Sequence, residues 1–179
     1  YRRQRQMCIR DRVYTVDDYP FTAIMTRSII LLPDKPMRPR ISDVRIGYFP
    51  LRKHIYTEKV DELKKVDYIQ RWRIEPKDED VERYRNGELV EPKKPIVWYV
   101  DPAIPERWRK YIKLGVEDWQ AAFEEIGFKN AIVAKDYPAD DPNFDPDDIR
   151  YSCYRYITTE TANSMGPAWI DPRSGEIIQ

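Results

Sequence analysis

The chain has 179 residues, 41% hydrophobic and 13% aromatic, enough to fill a core and to set wholesale disorder aside. Basic and acidic residues balance at 31 each, so no overall charge draws the chain to nucleic acid. No apolar run approaches the roughly 20 residues of a membrane helix.

Residues 1–12 carry five arginines against one aspartate and show neither helical nor strand period. They read as translated adapter sequence or a disordered tail. A secretory signal is excluded because no apolar h-region follows. Setting them aside leaves a mildly acidic remainder, with Cys153 the one cysteine outside the tail. A single cysteine cannot close an internal disulfide. Cys153 alternates with tyrosines, which suits a small half-buried residue better than a reactive thiol.

Residues 13–92 predict a β-rich upstream domain and linker. Residues 23–32 read as a strand stopped by Pro33, residues 44–49 as a second strand, and residues 68–74 as a third. In the third, Tyr68, Gln70, Trp72 and Ile74 alternate with Ile69, Arg71 and Arg73, giving one buried and one wet face. Residues 56–66 are charged and suit a short helix. Residues 75–95 read as a linker, with a brief coil at residues 80–84 and a turn at Asn86-Gly87.

Residues 93–179 are more regular. Residues 95–100 form an apolar, β-branched and aromatic run of the kind buried inside a sheet covered on both faces. Trp108, Ile112, Val116, Trp119, Phe123 and Ile126 then draw one stripe down a single amphipathic helix over residues 105–126. Pro105 suits its first turn, Gly127 its left-handed cap, and Gly115 a close approach to the sheet. Residues 131–134 complete a β-α-β unit, for which a right-handed crossover is the default.

The loop of residues 136–148 holds Asp140, Asp141, Asp145, Asp147 and Asp148. It lacks the glycine and closing glutamate of an EF-hand, so it reads as a solvated loop rather than a calcium site. Residues 149–157 alternate as a strand. Their interleaved arginines and tyrosines could also stack single-stranded bases, but the neighbouring acidic loop favours a sheet face. Residues 170–179 read as a strand, a tight turn and the start of a returning strand. The chain is therefore expected to stop inside a sheet, as a fragment. The fold class expected is α/β (α+β), with a twisted mixed sheet and one long helix.

Residues 94–101 (Lys-Pro-Ile-Val-Trp-Tyr-Val-Asp), 115–124, 127–132, 148–152 and 166–176 (Gly-Pro-Ala-Trp-Ile-Asp-Pro-Arg-Ser-Gly-Glu) occur in an order that resembles the front half of a metzincin-like zinc metalloprotease domain. The topology is that shared with the matrix metalloproteinases. The resemblance is closest to large bacterial extracytoplasmic zinc-dependent metalloproteases. Residues 19–28 and 68–77 look like the domain that precedes the protease in that family.

This resemblance implies a zinc metalloendopeptidase acting on polypeptide substrates outside the cytoplasm, with zinc as cofactor of the full-length protein. Such enzymes place two imidazoles on one face of a helix through a His-Glu-x-x-His motif. That motif is absent here. His54 is the one histidine and has no histidine partner, so no catalytic or metal-binding residue carries over. The fragment itself is expected to be inactive and to bind no zinc.

The resemblance also implies that Asn163, Ser164, Met165, Gly166 and Ala168 lie on an edge strand that pairs with extended substrate through backbone hydrogen bonds. Pro167 is tolerated on such an edge. An ordinary hairpin strand packed by Trp169 accounts for the same residues. The alternative for the whole chain is a non-catalytic peptide- or glycan-binding accessory module, its aromatic residues serving as a contact surface. Oligomeric state is not legible.

Overall fold

The computed structural model describes residues 7–9, 13–16, 19–22, 25–57, 60–158 and 163–179. It divides into two compact units, Tyr1–Lys35 and Pro36–Gln179. In the first, β1 (Met7–Ile9) pairs antiparallel with β4 (Met25–Arg27), and β2 (Val13–Val16) pairs antiparallel with β3 (Tyr19–Thr22). Met7–Ile9 thus lies in a strand although residues 1–12 show no strand period. The strand expected over residues 23–32 is confined to β4, with residues 23–24 outside the described residues.

In the second unit, β5 (Pro50–Thr57) and β6 (Val60–Ile69) form an antiparallel ribbon in which His54 faces Lys65 across the register. The helix expected over residues 56–66 is therefore a strand pair. Alternation is confined to β5, where Leu51, Lys53 and Ile55 are half-buried while Arg52, His54 and Tyr56 are exposed; residues 62–65 are exposed throughout, and their register with β5 holds them extended. Arg52 adds a cross-strand ion pair with Asp67 at 3.1 Å.

The strand expected at residues 44–49 is a turn. The Asp43 carboxylate accepts the backbone N–H of Arg45 at 3.0 Å, and the Asp43 carbonyl accepts that of Ile46 at 3.0 Å. This local Asx geometry competes successfully with a ladder.

Residues 75–95 do not behave as a linker. After a 3₁₀ turn at Asp78–Asp80 and the helix α1 (Val81–Arg85), the chain passes Gly87 at φ 82° and buries Val90 at 1% exposure. Val90 exchanges backbone hydrogen bonds with Gly127 and Lys129, both at 3.0 Å. It packs with Phe128 and Ala131, and Ile74, Tyr84 and Phe123 close around them. The boundary expected near residue 92 therefore falls inside the second unit. Most charged side chains of this stretch face solvent, Leu89 stays exposed, and Val90 joins the core with Tyr84 packed against it.

The central strand β7 (Ile96–Val100) lies between β8 (Ile132–Asp136) and β9 (Ser152–Tyr154), parallel to both. Its β-branched residues explain the position: Ile96 and Val100 are 4% and 0% exposed. The helix between β7 and β8 is split into α2 (Glu106–Glu117) and α3 (Gln120–Glu125). Asp118 and Trp119 keep right-handed helical backbone angles across the interruption.

The residues flanking that split are tied to β8. The Glu117 carboxylate accepts the Ala134 N–H at 3.3 Å, and the Gln120 side-chain oxygen accepts that of Ala131 at 2.9 Å. These bonds occupy donors at the outer strand of the sheet. Gly127 ends α3 at φ 92°, as expected of a left-handed cap. Gly115 makes no close approach to the sheet: a Cβ there would meet nothing within 4 Å.

The fold is thus mixed α/β (α+β), as expected; between β7 and β8 two helices stand where one was expected, and among the described residues the sheet around β7 is three-stranded and parallel where a mixed one was expected. Among the described residues, no helix is long and apolar enough to cross a membrane.

Candidate functional site

The helices cover one face of the sheet and leave a cleft of about 1060 Å³ along it. Trp98 and Ile132 form part of its sheet wall, while Ile112, Val116 and Phe123 face it from the helices. The amphipathic stripe is therefore only partly buried: Trp119 and Ile126 remain 65% and 54% exposed. Trp108, also in the stripe, is 52% exposed and lies outside the cleft, with the Arg107 guanidinium 5.2 Å from its ring.

Residues distant in sequence complete the cleft. Gln70, Trp72 and Ile74 line it, together with Arg40, Tyr48 and Arg71. The alternation over residues 68–74 carried a signal for the first three. Arg40 lies in a connector without a periodic signal, and Tyr48 lies in residues 44–49, whose pattern reads as a strand rather than as part of a cleft wall.

The opposite face of the sheet is covered by the acidic loop. Phe144 packs on Tyr99, Tyr137 and Tyr151, with ring centroids 5.1, 4.9 and 4.7 Å away. The loop's aspartates serve its own backbone: Asp141, Asp145 and Asp148 accept N–H groups two residues on, each at 2.9 Å. Asp148 also pairs with Arg150 at 2.7 Å, and Asp147 pairs with Arg155. Cys153 is half-buried beneath the loop beside the Tyr137 hydroxyl. Burial raises the thiol's pKa above its ordinary value, and burial likewise raises that of Tyr137. A thiol so placed is poorer in thiolate than a free one.

Asn163, Ser164, Met165, Gly166 and Ala168 are all exposed and lie outside any strand. The edge strand expected there is not formed. Among the described residues no ladder bond reaches residues 163–168, and Pro167 has no N–H to give. Pairing starts at Trp169, which exchanges backbone bonds with Gln179 and Ile178 at 3.1 and 2.8 Å. Ile170 then bridges Ile177 across the turn headed by Asp171. The hairpin expected at residues 170–179 is thus present, and its returning limb also pairs with Arg71.

His54 is exposed on β5, and among the described residues no group of three or more histidine, cysteine, aspartate or glutamate side chains could hold a metal ion. The arrangement offers instead an aromatic cleft with a cationic edge and an exposed segment, residues 163–168, whose backbone is open to pairing.

No curated protein and no solved structure matches the chain. Residues 6–77, which include the cleft residues Arg40, Tyr48, Arg71 and Trp72, match a family described as "Domain of unknown function (DUF5117)".

Proposed function

We propose that residues 94–179 supply the sheet-and-helix framework of a zinc-dependent peptidase domain acting on polypeptides outside the cytoplasm, whose metal ligands lie elsewhere in the full-length protein. The observation that carries the reading is the order strand, helix, strand, acidic loop, strand, with β7 flanked in parallel by β8 and β9. That order underlies the metzincin-like resemblance. In this reading Asn163, Ser164, Met165, Gly166 and Ala168 form an exposed segment that acquires strand geometry when substrate pairs with it.

The test is peptide hydrolysis by the full-length protein containing this sequence, with zinc content measured and a chelator added. Chelator-sensitive cleavage with bound zinc is expected. A zinc-free protein that cleaves nothing across a broad peptide panel would sink the reading. The 179-residue chain alone should show no zinc-dependent rise in melting temperature.

A second reading, a non-catalytic module that binds peptides or glycans, is favoured by the exposed aromatic residues at the cleft, Tyr48, Trp119 and Tyr154. Ligand binding by a full-length protein without hydrolysis would select it.

A further inference from the structure

Among the described residues lining the cleft, the two charged ones are both arginines, Arg40 and Arg71. Arg71 is fixed by a hydrogen bond from Nη2 to the Arg38 carbonyl at 2.8 Å, while its Nε is buried without an acceptor. Burial lowers the pKa of this guanidinium, and repulsion from Arg40 lowers it further. Attraction to Glu176, which bridges Arg71 through the backbone, and to Glu75 opposes that effect, and Arg73 adds to it. Two like charges brought together at an apolar wall are relieved by an anion, and a planar carboxylate matches the guanidinium fork. Beyond the arginines the wall is Trp72, Trp98, Trp119 and Tyr154, surfaces that suit apolar side chains. The volume suits a ligand of small-peptide size.

We propose that this cleft binds the C-terminal carboxylate of an apolar peptide, with Arg40 and Arg71 holding the carboxylate and the tryptophans its terminal side chains. The choice of a peptide over another apolar carboxylate rests on the peptidase reading. A product site of this kind would retain the newly formed carboxyl end of a cleaved chain.

The test is tryptophan fluorescence of the 179-residue chain titrated with N-acetyl-leucyl-phenylalanine as free acid, with its C-terminal amide, and with decanoate. Saturable binding of the acid is expected, with the amide at least about tenfold weaker, the size of one charge-assisted hydrogen bond. Arg40 is exposed, so Arg40→Gln should fold normally and lose most of that discrimination; Arg71→Lys should also weaken it. Equal binding of acid and amide, no saturable signal, or discrimination that survives Arg40→Gln would overturn the site. Decanoate binding as tightly as the peptide would overturn the assignment to peptides. The outcome separates from that of the peptidase reading. Chelator-sensitive hydrolysis by the full-length protein without acid-over-amide preference sinks this proposal alone; the reverse result sinks only the peptidase.

Discussion

A Cβ placed on Gly175 would stand 2.3 Å from the backbone carbonyl oxygen of Ile69. Gly175 lies at φ 77°, and its own carbonyl accepts the N–H of Arg71 at 3.0 Å. The turn of the last hairpin is thereby pressed against the end of β6. Gly175→Ala combines a left-handed backbone penalty with a collision that backbone cannot relieve cheaply, and should cost about 2 kcal/mol or more. Gly115→Ala is the contrasting case, since that helical position is open on all sides, and it should stabilise by about 1 kcal/mol. Urea unfolding of both variants checks the pair. Equal effects would show that the Gly175 contact is not formed.

The same turn carries an acid-sensitive carboxylate. The Asp171 side chain is fully buried and accepts both the backbone N–H of Arg173 and its Nη2, each at 2.8 Å. The Arg173 guanidinium holds the Asp171 carboxyl below its usual range. A depressed folded pKa stabilises the fold above the unfolded value and is lost as pH falls through the folded one, so this contribution fades below about pH 4. Asp171→Asn should lower stability near pH 7 by about 2 kcal/mol and flatten the acid limb of the pH profile. Unfolding midpoints between about pH 3 and pH 7 provide the measurement, and an unchanged acid limb would count against the assignment.

Phe144 anchors the acidic loop through three tyrosine rings. Phe144→Ala should destabilise the chain by about 2 kcal/mol, less than a fully buried phenylalanine because the ring is half-exposed. Limited proteolysis should cut residues 137–148 sooner in the variant. Cleavage at wild-type rate would mean that the loop is held by its Asx turns alone.

Cys153 should react with iodoacetamide at about pH 8 more slowly than glutathione does, because burial raises its pKa and depletes the thiolate. The measurement uses a Cys8→Ser background. Urea should restore the rate of a free thiol, and native-state reaction as fast as glutathione would contradict the packing.

Period and punctuation made parts of this fold legible. The β-branched run became β7, Gly127 became the left-handed cap, and the alternation over residues 68–74 placed Trp72 and Ile74 on one face, both of which line the cleft. Failures came where local chemistry had a rival. Residues 56–66 are rich enough in Lys, Asp and Glu to suit a helix, yet the pairing of Val60–Ile69 with Pro50–Thr57 makes a ribbon. Asp43 converts an apolar strand pattern into a turn by capturing the N–H of Arg45.

By itself the sequence determined the mixed α/β class, the β-α-β unit and its caps, because these depend on side-chain period and on backbone preferences within a few residues. Only the tertiary structure decided that Val90 belongs to the core, that Arg71 pairs with the last hairpin, and that the helix stripe opens onto a cleft. Each of these joins segments tens of residues apart, and such meetings are fixed by which surfaces can be buried together, a quantity no local pattern contains.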